Sequence, residues 1–243
     1  SLHDALPILK AEGERDIFGN MPNLIREAAG EGIVLLKNNN ALPYNKDTKI
    51  SVFGRCQLDY FYVGYGSGGD VNAPYFVNVI DGIKNAGGKV NEWLLNYYKD
   101  FSKNNPAPHG FWGHWPMSFE EPHLDDETVK RASEESDVAL VVIGRAAGED
   151  RENTLTKGSY YLTDEERKLL DQVCNNFSNV TVLLDCGNVI DMQWVLDYND
   201  RLRGIIYAWQ GGMESGNAIA DVLYGKVNPS GKLTDTIAIK YED

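Results

Sequence analysis

The sequence predicts an α/β fold, a three-layer α/β/α sandwich around a mostly parallel sheet of about six strands. Three observations lead to this prediction. Short runs rich in β-branched residues alternate along the chain with segments of helical spacing. Each run is apolar nearly throughout, as a strand covered on both faces must be. The 243 residues contain no internal repeat and no low-complexity linker, so a single domain accounts for them.

Four runs have the clearest strand pattern, and they lie at residues 50–54, 138–144, 180–185 and 204–209. A shorter run at 33–36 is expected to form an edge strand. Helical segments between these strands predict a flavodoxin-like arrangement, in which helices cover both faces of the sheet.

The segment 163–177 predicts a helix with a defined start. Thr163 and Glu166 have the spacing of a capping box, in which each side chain accepts a hydrogen bond from the backbone N–H of the other residue. Three apolar residues then share one face of the helix: Leu169, Leu170 and Val173. A second helix is predicted at 214–224, with Gly225 as a left-handed cap.

The domain is expected to cover residues 21–243. A helix begins near Pro22, because proline is tolerated in the first turn. Residues 1–20 are expected to be a tail or an expression remnant, since they show no comparable periodicity. Residues 101–123 contain four prolines and are expected to be irregular, and a long loop within a compact domain is often functional.

The charge of the chain argues against two classes of partner. The 23 basic and 36 acidic residues give a net charge of -13, which repels nucleic-acid phosphates and anionic lipids. No apolar run approaches the roughly 20 residues that cross a bilayer, and no export signal is visible. The odd number of cysteines, without zinc-site spacing, predicts buried free thiols and favours a cytoplasmic location: Cys56, Cys174 and Cys186.

The loop after the strand at 138–144 carries the strongest candidate for chemistry. Residues 141–162 read VVIGRAAGEDRENTLTKGSYYL, a buried strand followed by a polar loop. Ligands of open α/β sheets collect at the carboxyl ends of strands, where Glu149 is expected to lie. Acidic neighbours would raise the pKa of Glu149 and basic neighbours would lower it, and a general acid needs such a tunable environment. The alternative is an exposed carboxylate that water solvates.

Two other patterns in the sequence give weaker indications of a functional site. Residues 64–69 read GYGSGG, the spelling of a dinucleotide-binding turn, but this run does not directly follow a strand, and Pro74 precedes the next helix. Ser67 also lacks the glycine two positions earlier that a nucleophile elbow requires, since that residue is Tyr65. Three histidines share the proline-rich loop without the spacing of a zinc site, and we predict no metal: His109, His114 and His123.

Several motifs together resemble the sandwich domain of glycoside hydrolase family 3. GRAAGEDREN from Gly144, followed by GSYYLTDEE from Gly158, is similar to the family's pattern around its acid/base glutamate. REAAGEGIVLLKNNNALP from Arg26 resembles the start of the domain. LLDCGNVIDM from Leu183 and WQGGMESGNAIADVLYGKVNPSGKLTDT from Trp209 resemble its closing segments. The resemblance covers residues 21–243 and is weaker at 93–122.

The resemblance implies hydrolysis of terminal β-linked glucosides, xylosides or related sugars with retention of configuration, without a metal or organic cofactor. Glu149 is the implied acid/base. Trp112, like Phe111 and Trp115, either stacks on a sugar at the leaving-group side or packs against its own domain. The residues expected to contact a β-glycoside or oligosaccharide substrate are Gly66, Ser67, Arg145, Asp150, Arg151 and Trp112.

Retention requires two carboxyl groups about 5–5.5 Å apart across the scissile bond. The resemblance implies that the nucleophile is an aspartate on a (β/α)8 barrel, a domain of about 250 residues. We therefore expect the barrel to be a partner outside this chain, and the isolated domain to be inactive. The final residues, KLTDTIAIKYED, resemble the join of family members in which the sandwich domain precedes the barrel. The alternatives are a noncatalytic carbohydrate-binding or packing module and a nucleotide-binding flavodoxin-like protein.

Overall fold

A six-stranded sheet forms the centre of the protein, in the order β1-β6-β5-β4-β2-β3. This computed structural model describes residues 19–241 except 70, 72, 150, 152 and 199. β1 pairs antiparallel with β6 at one edge, and the other neighbouring strands pair in parallel, which confirms the predicted mostly parallel sheet. The strands are β1 (Val34–Asn38), β2 (Lys49–Phe53), β3 (Lys89–Val90), β4 (Val138–Arg145), β5 (Val180–Cys186) and β6 (Leu202–Tyr207).

The four most clearly predicted strands are present as β2, β4, β5 and β6, and the short edge strand is present as β1. β4 and β5 are apolar nearly throughout because they lie in the centre of the sheet and are buried along their whole length. β6 ends at Tyr207, earlier than predicted, because the chain turns sharply at Trp209. Trp209 has a φ of 58°, a value outside the strand region.

The described part of the chain contains six α-helices, which pack on the sheet or on one another. The capping box predicted for α5 is confirmed, with Thr163 and Glu166 exchanging backbone hydrogen bonds. Gly225 has a φ of +70°, which confirms the left-handed conformation predicted after α6. The helices are α1 (Met21–Gly32), α2 (Val79–Asn85), α3 (Glu92–Asn104), α4 (Asp126–Glu134), α5 (Asp164–Asn176) and α6 (Ser215–Leu223).

Two hydrophobic clusters, one on each face of the sheet, give the protein its three layers. Apolar residues of α4 and α5 join the cluster on one face, and apolar residues of α2 and α6 join the cluster on the other. α1 lies against α6. Burial of both sheet faces by helices is what the nearly continuous apolar strands require, and it confirms the predicted α/β/α sandwich.

The prediction of irregular backbone at 101–123 is wrong for its first residues, because α3 continues to Asn104. The buried residues Leu94, Leu95 and Tyr98 hold this helix against the core. The helix ends two residues before Pro106, which cannot donate a backbone hydrogen bond. The following described stretch has no helix or strand until α4. After β5 the chain forms a short 3-10 helix at Gln193–Asp197, in which Trp194 is buried.

The three cysteines are free and buried, as predicted. Of the helices that the structure describes, none has the length and apolar character to span a bilayer. The predicted tail at 1–20 lies outside the described residues except for Gly19 and Asn20, which form a turn before α1.

Candidate active site

Loops from the carboxyl ends of four strands meet at one edge of the sheet, because β2, β4, β5 and β6 run in parallel. The loop after β2 is joined to the loop after β4 by two backbone hydrogen bonds. Tyr65 N donates to Ala147 O at 2.8 Å, and Glu149 N donates to Tyr65 O at 3.1 Å. The structure therefore brings the glycine-rich run 64–69 directly to the predicted acid/base residue, 82 residues along the chain from Ser67.

Glycines make this close approach of the two loops feasible. Gly66 has a φ of +117°, and a Cβ added to it would lie 2.5 Å from the Cβ of Glu149. A Cβ on Gly148 would lie 2.7 Å from the backbone oxygen of Tyr65. Both distances are shorter than van der Waals contact, so a larger residue at either position would push the loops apart.

The side chain of Glu149 is exposed at this rim and is held by Ser67. One carboxylate oxygen accepts a hydrogen bond from Ser67 Oγ at 2.5 Å and another from Ser67 N at 2.9 Å. These hydrogen bonds to the ionised form lower the pKa of Glu149 below its usual value. We predicted that charged neighbours would set the pKa of Glu149. In the structure, the hydrogen bonds from the side chain and backbone of Ser67 have the largest effect on this pKa. Asp150 and Glu152 lie outside the described residues.

Arg145 does not reach the rim, which corrects its predicted role in substrate contact. It ends β4 with no exposed surface and binds Glu166 through both terminal nitrogens, each at 2.6 Å. Its Nε donates to Ser159 O at 3.0 Å, and Nη2 donates to Tyr161 O at 3.2 Å. Ser159 and Tyr161 lie near the end of the segment 146–162, and Glu166 lies just after it, so Arg145 ties the two ends of this segment together. The sequence contained a signal for the Arg145–Glu166 ion pair. Arg145 ends a strand that is buried on both faces, and a buried charge needs a partner such as the capping-box glutamate that follows.

The proline-rich loop supplies aromatic rings that pack around Tyr65 of the glycine-rich run. Trp115 stacks on Tyr65, with ring centroids 5.3 Å apart and planes 2° apart, and is itself buried. Trp112 contacts Trp115 edge-on at 5.4 Å and is 50% exposed. Arg151 Nε donates to Trp115 O at 2.8 Å. Trp115 therefore packs on its own domain, whereas the rings of Trp112 and Phe111 have exposed surface that a sugar could meet.

The histidines of this loop have other contacts. His123 lies 3.0 Å from Glu165 and 2.9 Å from Lys168 Nζ, and His109 meets the ring of Tyr65 edge-on. Within the described part of the chain, no three His, Cys, Asp or Glu side chains cluster as a metal site would need. The run 64–69 does not lead into a helix, since the next described helix is α2, which begins at Val79. Its geometry is thus not that of a dinucleotide-binding turn.

Asp185, near the end of β5, is a positioning residue that the sequence prediction missed. It is fully buried, and Oδ2 accepts a hydrogen bond from Phe61 N at 2.8 Å. Burial raises the pKa of Asp185 well above its usual value, opposed in part by the Phe61 N–H. This contact fixes the segment that leads from β2 into the glycine-rich run. The signal in the sequence was an aspartate at the end of an otherwise apolar strand.

A cleft of about 490 Å³ lies next to Gly148, between the loops after β4, β5 and β6 and the residues that follow α6. We call it the β5–β6 cleft. Its lining includes Arg151, Tyr160, Asn188, Trp209, Asp235 and Tyr241. The volume falls within the roughly 300–1,000 Å³ range of small-molecule sites. Because Gly148 precedes Glu149, the cleft and the Glu149 rim share one wall.

The sequence matches the profile described as "Glycosyl hydrolase family 3 C-terminal domain" over residues 33–243. A β-glucosidase of Ruminococcus albus is 47% identical over 218 residues, covering 89% of this chain and 23% of that protein. β-Glucosidase A of Butyrivibrio fibrisolvens is 36% identical over 242 residues, covering 89% of this chain and 28% of that protein. The chain thus spans about a quarter of the length of these relatives.

Solved structures agree with the sequence matches. A β-glucosidase from Paenibacillus barengoltzii has a TM-score of 0.89 at 47% identity, covering 92% of this chain and 25% of that one. β-Glucosidase 3B from Thermotoga neapolitana in complex with glucose has a TM-score of 0.85 at 33% identity, covering 94% of this chain and 32% of that one. With most of its length matched by the profile, the chain belongs to glycosyl hydrolase family 3 and contains the C-terminal domain of that family.

Proposed function

We propose that this chain supplies the acid/base residue, Glu149, of a retaining β-glycosidase whose nucleophile lies on a (β/α)8 barrel domain. The observation that carries the proposal is the placement of Glu149. Its carboxylate is exposed at the carboxyl edge of a parallel sheet, on a loop that Gly66 and Ser67 hold in place. Ligands of open α/β sheets bind at this edge, and a group there can act on a substrate held by another domain.

The roles of Glu149 follow from the chemistry of retention. A retaining enzyme first protonates the departing oxygen and then uses the same residue as a base towards water. The hydrogen bonds from Ser67 favour the ionised carboxylate, which suits the second step. Protonation for the first step requires a raised pKa, which a nucleophilic carboxylate about 5–5.5 Å away and the exclusion of water would both provide.

The partner and the substrate class are part of the same proposal. The described residues form one sheet, so a barrel of about 250 residues lies outside them. The Ruminococcus albus and Butyrivibrio fibrisolvens relatives are named β-glucosidases and are about four times as long as the segment that matches this chain. We propose a terminal β-glucoside or a similar sugar as substrate, with Gly66, Ser67, Arg151 and Trp112 near it. A cytoplasmic location stays a prediction from the sequence.

A domain replacement tests the proposal. In the Ruminococcus albus β-glucosidase, this chain would replace the segment to which it is 47% identical. Glu149→Gln in that hybrid should lower hydrolysis of alkyl β-glucosides by about 10²–10⁴-fold. Aryl glucosides with very acidic leaving groups should lose much less, because their leaving oxygen needs no proton. Glu165→Gln, at a half-buried glutamate of α5 whose carboxylate contacts His123, is the matched control and should change neither rate.

Two results would contradict the proposal. If Glu149→Gln left both classes of substrate unaffected, a noncatalytic carbohydrate-binding or packing role would explain the domain better. If the 243-residue chain alone hydrolysed an aryl β-glucoside and Glu149→Gln abolished that activity, the nucleophile could not be on a separate barrel.

A further inference from the structure

A buried arginine holds both ends of the segment 105–120 in the proline-rich loop. Arg55 follows β2 and is 1% exposed. Its guanidinium donates from Nη2 to Asn105 O, from Nη1 to Glu120 O at 3.2 Å, and from Nε to Asp59 Oδ2 at 2.7 Å. Because N–H groups left unpaired away from water are costly, a buried guanidinium keeps such partners. Arg55 therefore holds the carbonyl groups at the two ends of this segment close together.

Rings and a carboxylate enclose the same arginine. The guanidinium carbon lies 5.5 Å from the ring centroid of Phe101, in α3, and 5.6 Å from that of Phe119. Both contacts are at the distance of a cation–π interaction. The backbone N–H of Arg55 donates to both carboxylate oxygens of Glu121, at 2.8 and 2.9 Å. The end of α3, the start of the loop after β2 and the end of the proline-rich loop are thus joined at one residue.

Between its two held ends, the segment supports the loop that carries Glu149. Met117 O accepts a hydrogen bond from Ala146 N at 2.8 Å, and Trp115 O accepts one from Arg151 Nε at 2.8 Å. Ala146 and Arg151 lie on either side of Glu149 in the sequence. Trp115 and Met117 are both buried. A displacement of the segment would therefore move the backbone on both sides of Glu149.

A row of packed rings joins Arg55 to the same loop by a second path. Phe119, beside the guanidinium, stacks on Phe61 with centroids 4.5 Å and planes 19° apart. Phe61 meets Tyr65 edge-on at 6.5 Å, and Tyr65 O accepts the hydrogen bond from Glu149 N. Protein interiors are close-packed, so a shift of one ring moves its neighbours. A change at Arg55 would thus also reach the backbone of Glu149.

We propose that Arg55 is a positioning residue for the acid/base step, because it holds the segment 105–120 that sets the position of the Glu149 loop. The assignment to this step rests on the proposed function. A general acid must come within about 2.6–3.2 Å of the oxygen that it protonates. A misplacement of about 1 Å can cost about 10²-fold in rate. Arg55 is buried, so it acts through the loop and not on the substrate.

The hybrid enzyme tests this role through a ratio of two rates. Arg55→Met should lower kcat/KM for alkyl β-glucosides at least about tenfold more than for aryl glucosides with very acidic leaving groups, because it misplaces Glu149. A loss of folded enzyme would lower both rates equally and leave their ratio unchanged. Arg131→Met is the matched control, because it removes an ion pair of the same sequence spacing at a side chain that is 51% exposed. It should leave the ratio unchanged.

A second variant and a second measurement make the result independent of folding and of activity. Arg55→Lys keeps the positive charge beside Asp59 but lacks the planar fork that holds two carbonyl groups, and it should lower the same ratio if Arg55→Met does not fold. In the 243-residue chain, Arg55→Met should speed hydrogen exchange of the Ala146 and Glu149 N–H groups at least about tenfold. Exchange of the Glu166 N–H, which donates to Thr163 Oγ1, should not change.

The inference is overturned if folded Arg55 variants keep the wild-type ratio of rates. It is also overturned if exchange at Glu166 accelerates as much as at Ala146, since the effect would then be general destabilisation. Combined with Glu149→Gln, Arg55→Met should cause no further loss with alkyl glucosides, and a further loss would show that its effect does not pass through Glu149. If Glu149→Gln has no effect while exchange in Arg55→Met is still faster at Ala146 and Glu149, the proposed function fails and the hold of Arg55 on this loop stands.

Discussion

Replacing Arg145 by methionine removes one partner of a fully buried ion pair beneath the candidate catalytic loop. Arg145 and Glu166 are 0% and 5% exposed and meet at 2.6 Å, so the remaining carboxylate would stay buried without its counter-charge. Breaking such a pair costs about 3–5 kcal/mol. Unfolding in urea should show this loss of stability. In a thermal scan, about 2–4 °C per kcal/mol for a chain of this size corresponds to roughly 6–20 °C in Tm.

Two comparisons make the Arg145 result interpretable. Lys157→Met breaks the ion pair of Lys157 with Asp164, whose side chains are 64% and 80% exposed, and should cost less than about 1 kcal/mol. The double variant Arg145→Met, Glu166→Leu leaves no unpaired charge and should recover part of the loss. If Arg145→Met were no more destabilising than Lys157→Met, the contacts of Arg145 across the segment 146–162 would not stabilise the folded protein as the structure indicates.

Substitutions at three further positions test how the rim is positioned. Gly66→Ala should lower Tm relative to Gly68→Ala, because a Cβ at Gly66 would lie 2.5 Å from the Cβ of Glu149, whereas one at Gly68 meets no atom within 4 Å. Equal Tm values would contradict the close approach of the loops after β2 and β4. Ser67→Ala removes a hydroxyl that lowers the pKa of Glu149, so the carboxyl should titrate at higher pH by ¹³C NMR, and an unchanged midpoint would disprove the assignment. In wild type the stabilisation from this bond is present above the unfolded pKa and is lost as pH falls through the folded pKa. Burial raises the pKa of Asp185, so folding stability from this group falls as pH rises from the unfolded towards the folded pKa. Asp185→Asn keeps a hydrogen-bond acceptor but cannot ionise, so it should abolish this pH dependence of stability in urea unfolding. Asp185→Leu leaves the buried Phe61 N–H unpaired and should cost about 1–3 kcal/mol. Equal stability of the two variants would refute the positioning role of Asp185.

Helices and strands whose formation depends on residues close together in the sequence were predictable from the sequence. β4 and β5 are buried along their length, and continuous apolar runs are the composition that such strands need. The start of α5 is set by Thr163 and Glu166, which are three residues apart. The placement of Glu149 at the carboxyl edge of the sheet also followed, because the carboxyl ends of parallel strands share one edge. The extension of α3 to Asn104 did not follow, since it depends on the burial of Tyr98 against residues distant in the sequence.

Which way each polar side chain of the site points was decided by the tertiary structure alone. Arg145 precedes Glu149 by four residues, yet one is buried against Glu166 and the other is exposed. Ser67 lies 82 residues from Glu149, and Asp185 lies 124 residues from Phe61. Local sequence determines whether a segment forms a strand, a helix or a turn, because those choices depend on backbone hydrogen bonds and periodic burial. Contacts between distant loops exist only after the sheet is assembled, and they determine the orientation and ionisation of the residues at its edge.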